Sequence, residues 1–302
     1  MLIKLSFPVR SGRFRAALVK ASDQGWGVIC KKTYLTVRDL SRDGEHVRAA
    51  NVVYNSQLAA YFLGLTSSRV NRYITETLCE ELVTVPLPPS SPNLSVLKSF
   101  QDIDTETARL FALTAADKIL IEDFLHYSLP DALRTTPGPG RHCTRRVDDS
   151  GALEPELSDY ATTFMRVVKA TFGGERKVAA TIYTEPQAAR LPVRMITLRL
   201  DAADAKPVSV EPIRVDGLLD RLSEFHSHQL QPGASGSSVA GSGFQRVAYL
   251  FHAGSEGGMR VMNLTIVKPD ECRYWSRSMA MRDADQLAGT IITAAAHKPA
   301  AA

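Results

Sequence analysis

The chain has 302 residues, enough for two domains of ordinary size, and its 44% hydrophobic and 23% charged content is typical of a globular protein. No run of about 18 apolar residues is present, which argues against a membrane span. The formal net charge of +4 is weakly basic, so it permits nucleic-acid binding without requiring it.

The N-terminus and the cysteines restrict the cellular setting. Residues 1–15 mix charge with short apolar pieces and lack the continuous apolar centre of a signal peptide, so a cytoplasmic location is expected. Cys30, Cys79, Cys143 and Cys272 lie far apart and form no Cys-x-x-Cys pair. This spacing argues against a zinc ribbon or a redox dithiol and favours ordinary core or surface roles.

Predicted strands open the chain and lead to one long helix. Residues 14–20 and 28–37 have the composition of strands, with a Gly-Trp-Gly turn between them at residues 25–27. From residue 51 onward, apolar side chains recur every three or four residues, which predicts a long buried helix. Its apolar stripe consists of Val52, Val53, Leu58, Ala59, Phe62, Leu63 and Leu65.

A polar break at residues 66–69 follows this helix. Threonine at Thr75 or Thr77 can cap a second, shorter helix. Residues 83–87 are then predicted to form a short strand, which the run of prolines beginning at Pro86 stops.

The passage from residue 51 to residue 89 contains four short stretches in a distinctive order. They are Asn55-Ser56, Tyr61-Phe62-Leu63, the basic loop at residues 66–69, and Val85-Pro86-Leu87-Pro88. This order resembles the C-terminal specificity region of N6-adenine DNA methyltransferases of the TaqI-like type. The resemblance covers residues 28–89 and implies a DNA-recognition domain.

The same resemblance implies the partners and the cofactor. Double-stranded DNA is one expected partner, and a DNA methyltransferase core subunit or a neighbouring defence protein is the other, with S-adenosylmethionine on that partner. An N6-adenine methyltransferase needs a glycine-rich turn to hold this cofactor and an Asn/Asp-Pro-Pro-aromatic tetrapeptide at the target amine, and the sequence contains neither. This chain alone is therefore not expected to hold a cofactor or to methylate DNA.

Basic and polar side chains flank the second strand and the long helix. Folding could bring the cations together along a phosphate backbone, with the asparagine and the tyrosine available for base edges or stacking. The candidate DNA-binding residues are Lys31, Lys32, Arg38, Arg69, Asn71, Arg72 and Tyr73. A solvated charged rim with no ligand explains the same residues equally well.

The composition divides the chain into three regions. Residues 1–90 form the predicted specificity domain, and residues 91–152 a linker with one helix, which Thr114 and Asp117 open as a capping box and which ends at Pro130. The passage at 133–151, rich in proline, glycine and arginine, marks the main boundary. Residues 153–302 form the predicted partner or scaffold domain.

The second half alternates helical and strand patterns. Residues 157–172, 216–229 and 283–296 are predicted helices, and residues 178–183, 193–200, 244–252 and 259–267 are predicted strands. This order favours antiparallel hairpins packed against helices. The fold class is therefore α+β, with a β-rich N-terminal domain that carries the long buried helix.

Residues 268–285 contain an aromatic pair between arginines. The stretch resembles an ending found in uncharacterised bacterial proteins that are encoded beside DNA methylases and other phage-defence components. Arg273, Trp275, Arg277 and Arg282 form a possible second nucleic-acid surface. The alternative is an aromatic plug that seals the last hairpin onto the last helix, with the arginines outward.

Enzyme motifs are weak throughout the sequence. Glu175 and Lys177 have the spacing of a metal-dependent nuclease, and His226 and His228 lie two apart on a helix, where their side chains point to different faces. No catalytic residue and no metal ligand is predicted. The leading hypothesis is a non-catalytic DNA-recognition or scaffold component of a methyltransferase-linked restriction-modification or phage-defence system. A nuclease of such a system and a purely structural interaction protein remain as alternatives.

Overall fold

The computed structural model describes most of the chain. The described residues are 1–6, 12–19, 30–31, 33–38, 43–69, 77–133, 137–172, 177–185, 192–200, 206–229, 248–256 and 259–296. The chain divides into two compact units, Met1–Arg141 (unit 1) and His142–Ala302 (unit 2), and this division falls inside residues 133–151. Helices combine with antiparallel and mixed sheets, so the predicted α+β class is confirmed.

Unit 1 begins with a small antiparallel sheet. Its strands are β1 (Leu2–Lys4), β2 (Ala16–Ala17) and β3 (Tyr34–Thr36), and β1 lies in the centre. The sequence predicts longer strands at residues 14–20 and 28–37 and does not predict β1. In the described part of the chain, pairing is limited to the few residues that face β1.

The long buried helix predicted from residue 51 is two helices, α1 (Glu45–Tyr54) and α2 (Gln57–Thr66). The break lies at Asn55 and Ser56, where Ser56 takes an extended conformation and its Oγ accepts a hydrogen bond from the Ala59 N–H at 3.4 Å. Serine is a favoured residue at a helix start for this reason. Apolar periodicity continues across the break, which is why it predicts a single helix.

After α2 the structure differs from the prediction at two places. Residues 83–87 form turns rather than a strand, although Val85 is buried in the core. The helix before them is α3 (Cys79–Leu82). Of the two predicted caps, Thr75 lies outside the described residues, and Thr77 does not cap the helix, because the N-cap position is Leu78. Prolines cannot donate the hydrogen bonds that a paired strand needs.

The predicted linker contains more helix than expected. A capping box of Ser99 and Asp102 opens α4 (Phe100–Leu110), which the sequence assigns to the linker. The capping box of Thr114 and Asp117 opens α5 (Ala115–Asp123), as predicted. A π-helical turn (Phe124–Ser128) follows α5 and leads into α6 (Leu129–Leu133), so the chain remains helical past Pro130. Pro130 is the second residue of α6 and follows the π-helical turn, where the hydrogen-bond pattern already departs from that of an α-helix.

Unit 2 is a five-stranded sheet with helices. The elements are α7 (Pro155–Phe172), β4 (Val178–Thr184), β5 (Val193–Leu200), β6 (Val208–Pro212), α8 (Val215–Gln229), β7 (Ala248–Glu256), β8 (Met259–Pro269) and α9 (Arg277–Ala296). The strand order is β6-β4-β5-β8-β7, with β6 parallel to β4 and all other pairs antiparallel. Helices and strands lie at the predicted positions in the described residues, residues 244–247 of the predicted strand 244–252 lie outside them, and β6 is an addition. The last helix begins six residues before the predicted Asp283, because the Ser276 Oγ accepts from the Met279 N–H at 3.3 Å and caps it there.

Apolar side chains from α7, α9 and one face of the sheet form the main core of unit 2. Ile182, Ile196 and Ile266 lie opposite one another on this face. Tyr183 and Met195 lie on the other face and pack with Leu218 of α8. Within the described residues, no helix combines the length and the apolar character needed to cross a bilayer.

Candidate nucleic-acid interface

The three strands of unit 1 turn alternate residues toward the core. Side chains on the inner face pack into the hydrophobic core of the unit. They come from Met1, Ile3, Leu5, Phe14, Ala16, Leu35 and Val37. Because successive strand residues point to opposite faces, the intervening residues lie on the outer face.

We call this outer face the basic sheet face. Its members are Leu2, Lys4, Arg15, Ala17, Tyr34, Thr36 and Arg38. Arg15 and Arg38 are exposed, Lys4 is half-buried and Tyr34 is 42% exposed. Three of the seven side chains are cations and none of the seven is acidic. The described part of this face is therefore a positively charged surface with one aromatic ring.

One row of the basic sheet face crosses all three strands. Lys4 lies opposite Tyr34 in the register of β1 and β3, and the Lys4 N–H donates to the Arg15 carbonyl at 2.9 Å. Adjacent strands are about 4.8 Å apart, so Arg15 and Tyr34 stand about 10 Å from each other with Lys4 between them. Arg38 extends the face beyond β3, since the N-terminal ammonium of Met1 donates to the Val37 carbonyl at 2.8 Å and continues the pairing.

Asn55 holds the β2 edge of this sheet. Its Oδ1 accepts from the Ala16 N–H at 3.2 Å, and its Nδ2 donates to the carbonyls of Ala16 at 2.9 Å and Asn51 at 2.8 Å. The side chain thus takes the place of a neighbouring strand. The Asn-Ser pair in the methyltransferase resemblance therefore has two structural roles here, strand pairing by Asn55 and helix capping by Ser56.

The two arginines that flank Phe14 differ in environment. Arg13 forms an ion pair with Asp104 of α4, donates to the Asn55 carbonyl at 3.1 Å and lies over the Phe100 ring at 5.1 Å. Arg13 therefore anchors the sheet to the helices. Arg15 lies two residues further along the chain, directly before β2, and is exposed.

The structure brings together some of the DNA-binding residues predicted from the sequence. Arg38 is on the basic sheet face, and exposed Lys31 lies in the turn before β3, where its carbonyl accepts from the Tyr34 N–H at 3.0 Å. Arg69 is half-buried in the turn after α2. The other four predicted residues lie outside the described residues, and they are Lys32, Asn71, Arg72 and Tyr73.

The turn that carries Arg69 is fixed by a carboxylate. Glu81 of α3 accepts from the Ser67 hydroxyl at 2.7 Å, the Ser68 N–H at 2.7 Å and the Leu78 N–H at 3.1 Å. Burial opposes ionisation of Glu81, but these hydrogen bonds outweigh it and lower the pKa of this carboxyl to about 2. Hydrogen bonds from Ser67 and Ser68 to Glu81 therefore fix the predicted basic loop.

The predicted second surface has a buried centre. Trp275 has 0% exposure, its Nε1 donates to the Pro269 carbonyl at 2.8 Å, and its ring meets Tyr160 edge-on at 5.1 Å. This arrangement agrees with the aromatic-plug interpretation. Arg273 pairs with Glu271 at 2.8 Å, while Arg277 is half-buried and Arg282 is exposed on α9. A base cannot stack on Trp275 in this structure, because the core of unit 2 covers its ring.

Lys268 lies beside this tryptophan in the core. Its ammonium forms an ion pair with Asp283, donates to the Tyr274 carbonyl at 3.0 Å and lies 4.4 Å from the centre of the Tyr160 ring. The Tyr160 hydroxyl donates to Asp283 at 2.6 Å. Burial lowers the pKa of Lys268, and the neighbouring Asp283 carboxylate opposes that shift. We call Tyr160, Lys268, Trp275 and Asp283 the lysine–tryptophan core.

Only one residue of the candidate nuclease pair lies in the described part of the chain. Glu175 lies outside the described residues, and Lys177 is exposed immediately before β4. His226 and His228 lie in α8. The part of the chain that the structure describes contains no group of three or more His, Cys, Asp or Glu side chains placed to hold a metal ion.

The sequence reasoning missed Lys4, Arg15 and Tyr34. A signal for them was available in residues 34–38, Tyr-Leu-Thr-Val-Arg, where apolar and polar side chains alternate in the pattern of a half-buried strand. Extending this alternation to residues 1–5 and 14–17 would have placed these three side chains on the face opposite the core.

Protein-family models, curated proteins and solved structures were all compared with this chain, and none gives a significant match.

Proposed function

We propose that this protein is a non-catalytic DNA-recognition or scaffold component of an N6-adenine DNA methyltransferase-linked restriction-modification or phage-defence system. In this proposal the basic sheet face contacts double-stranded DNA, and unit 2 holds a partner. That partner is a DNA methyltransferase core subunit or a neighbouring defence protein, and a methyltransferase partner carries the S-adenosylmethionine.

The charge of the basic sheet face is the observation that carries the proposal. Lys4 lies in β1, while Arg15 and Arg38 flank β2 and β3, and none of the described residues of that face is acidic. Cations that contact phosphates release condensed counterions from DNA, which supplies affinity and makes it salt-dependent. Contacts of this kind fix the position of a protein on the duplex, while base contacts add specificity.

The order of motifs from Asn55 to Pro88 also supports the proposal by resemblance. Asn55 connects that motif to the basic sheet face, because the same side chain pairs with the β2 edge. A recognition domain benefits from such an anchor, since side chains on a rigid element present a ligand with a defined geometry.

The test is the salt dependence of duplex binding. In the variant Arg15→Ala/Arg38→Ala, both changed residues are exposed, so the fold should be retained. Loss of two phosphate contacts should lower the slope of log affinity against log salt concentration by about 2 units. Fluorescence anisotropy with a labelled duplex at several salt concentrations measures this slope.

A matched control separates local contacts from total charge. The variant Lys98→Ala/Lys118→Ala removes two exposed cations of the same unit from the region of α4 and α5. It lowers the net charge by the same two units and should leave the slope nearly unchanged. If the slope of log affinity against log salt concentration were the same for both variants and the wild type, the basic sheet face would be excluded as the DNA-binding surface.

A further inference from the structure

An aromatic ring at the surface of a cationic sheet requires an explanation. Tyr34 is the only ring among the seven residues of the basic sheet face, and its side chain is among the exposed large hydrophobic ones of unit 1. Its neighbour on the next strand is Lys4, and its neighbour on the same face of β3 is Thr36. Neither neighbour is aromatic, so neither can stack ring on ring with Tyr34.

Tyr34 is 42% exposed and has no ring contact with another described residue. In the described part of the chain, the cation–ring and ring–ring contacts involve other aromatic residues, such as Phe100 with Arg13 and Tyr61 with Phe124. Tyr34 forms none of them. An exposed ring without a stacking partner is available to a flat ligand.

The cations beside the ring indicate what the flat ligand is. Single-stranded nucleic acid binds where positive side chains follow the phosphate backbone and aromatic rings stack on the bases. Lys4 lies directly beside Tyr34, and Arg15 lies in the same row about 10 Å away. Both cations are therefore close enough to contact the phosphates that flank a stacked base.

Base pairing decides which nucleotide can use this ring. In a fully paired duplex the two faces of each base are covered by the neighbouring base pairs, so Tyr34 could reach only sugar or phosphate. A base without a partner can leave the stack and place its face on the ring at a small energetic cost.

We infer that Tyr34 stacks on an unpaired base, so that the basic sheet face binds DNA containing an unpaired nucleotide more tightly than the same DNA fully paired. This inference rests on the proposed function, because the phosphate contacts of Lys4 and Arg15 bring the base to the ring. The ligand is thus a DNA strand with a locally unpaired base, and Tyr34 is its stacking residue.

The experiment compares two labelled DNAs by fluorescence anisotropy at fixed salt. One is a fully paired duplex, and the other is the same duplex with one extra unpaired nucleotide. Wild-type protein should prefer the second DNA, and Tyr34→Leu should bind it about 5- to 150-fold more weakly and lose the preference over the paired duplex. Tyr34→Phe keeps the ring and should retain the preference. Tyr34→Thr, with a residue that favours strands, repeats the test if the leucine variant does not fold.

The outcomes separate this inference from the proposed function. Equal binding of both DNAs by the wild type would overturn the inference and leave the proposed function standing. Equal weakening of both DNAs in Tyr34→Leu would also overturn it, because the ring would then serve the paired duplex or the fold. Absence of binding to either DNA would overturn the proposed function and this inference together.

Discussion

The basic sheet face and the lysine–tryptophan core use the same kinds of side chain in opposite environments. In the first, Lys4 and Tyr34 lie side by side, and the described residues of their face include no carboxylate. In the second, Lys268 lies between two rings with 0% exposure of its side chain and is neutralised by Asp283. The two lysines therefore differ in whether a carboxylate pairs with them.

A cation beside an aromatic residue has a different role when a carboxylate pairs with it. A buried lysine must be paired, since the cost of removing an isolated charge from water is several kcal/mol. A lysine without a carboxylate is free to attract a phosphate. The arginine-rich segment around Trp275 resembles a nucleic-acid surface in the sequence, but its centre is a packed core.

The largest expected effect is on the stability of unit 2. Trp275→Ala removes a fully buried ring and should lower the free energy of unfolding by about 3–5 kcal/mol. Urea unfolding measures this change, and Arg282→Ala on the exposed side of α9 is the control. DNA affinity per folded molecule should stay the same. If Trp275→Ala instead kept wild-type stability and bound DNA more weakly, DNA binding would be assigned to the region around Trp275 and not to the basic sheet face.

The ion pair of the lysine–tryptophan core should also be expensive to break. Asp283→Asn leaves the ammonium of Lys268 buried beside a neutral group, which should lower the free energy of unfolding by about 3 kcal/mol. The loss should be at the lower end of the usual range, because the amide oxygen can still accept from the Tyr160 hydroxyl. The double variant Lys268→Met/Asp283→Asn removes the unpaired charge and should be more stable than Asp283→Asn alone. A double variant that is less stable would show that Lys268 contributes by more than its charge.

A smaller effect is expected from the carboxylate of unit 1. The pKa of Glu81 is about 2 in the folded protein and ordinarily 4.5, so its stabilisation is present above about pH 4.5 and is lost as the pH falls toward 2. Glu81→Gln should reduce stability at neutral pH by about 1 kcal/mol, a value lowered for solvent screening.

The pH dependence of this variant provides the check. The stability difference between the wild type and Glu81→Gln should shrink as the pH is lowered through this range, because the wild-type carboxyl becomes protonated. Thermal unfolding at several pH values measures both proteins. A difference that stays constant down to pH 2 would show that the charge of Glu81 is not what fixes the turn at Ser67 and Ser68.

The smallest effect is expected where the basic sheet face is changed. Arg15→Ala/Arg38→Ala should alter the free energy of unfolding by about 0.5 kcal/mol or less, because neither side chain is part of the core. The same urea titrations used for Trp275 provide the comparison. A loss as large as that of Trp275→Ala would mean that these arginines support the fold and are not reserved for a ligand.

The sequence predicts the elements of unit 2 better than those of unit 1. The helix α7 and the strands β4 and β5 have long, regular patterns, and the structure has them almost as predicted. The strands of unit 1 are two or three residues long, which is too short for a periodic pattern to define. The break at Asn55 was also hidden, since the apolar pattern continues through it.

The candidate site was only partly predictable for the same reason. Charge clustering selected Lys31 and Arg38, which the structure places at or beside the basic sheet face. Lys4 and Arg15 are far from them in sequence and join the same sheet only through strand pairing. Likewise, the sequence leaves the exposure of Trp275 open, and only the packing of α7 and α9 settles it.

The most direct test of the central claim is to map the DNA contact on the folded protein. Titration of isotope-labelled protein with a short duplex, followed by NMR of the backbone amides, should shift signals of the strands that carry Lys4, Arg15 and Tyr34. Signals of α4 and α9 should stay in place. Shifts that concentrate on α9 near Arg282, with none in the three strands, would contradict the account.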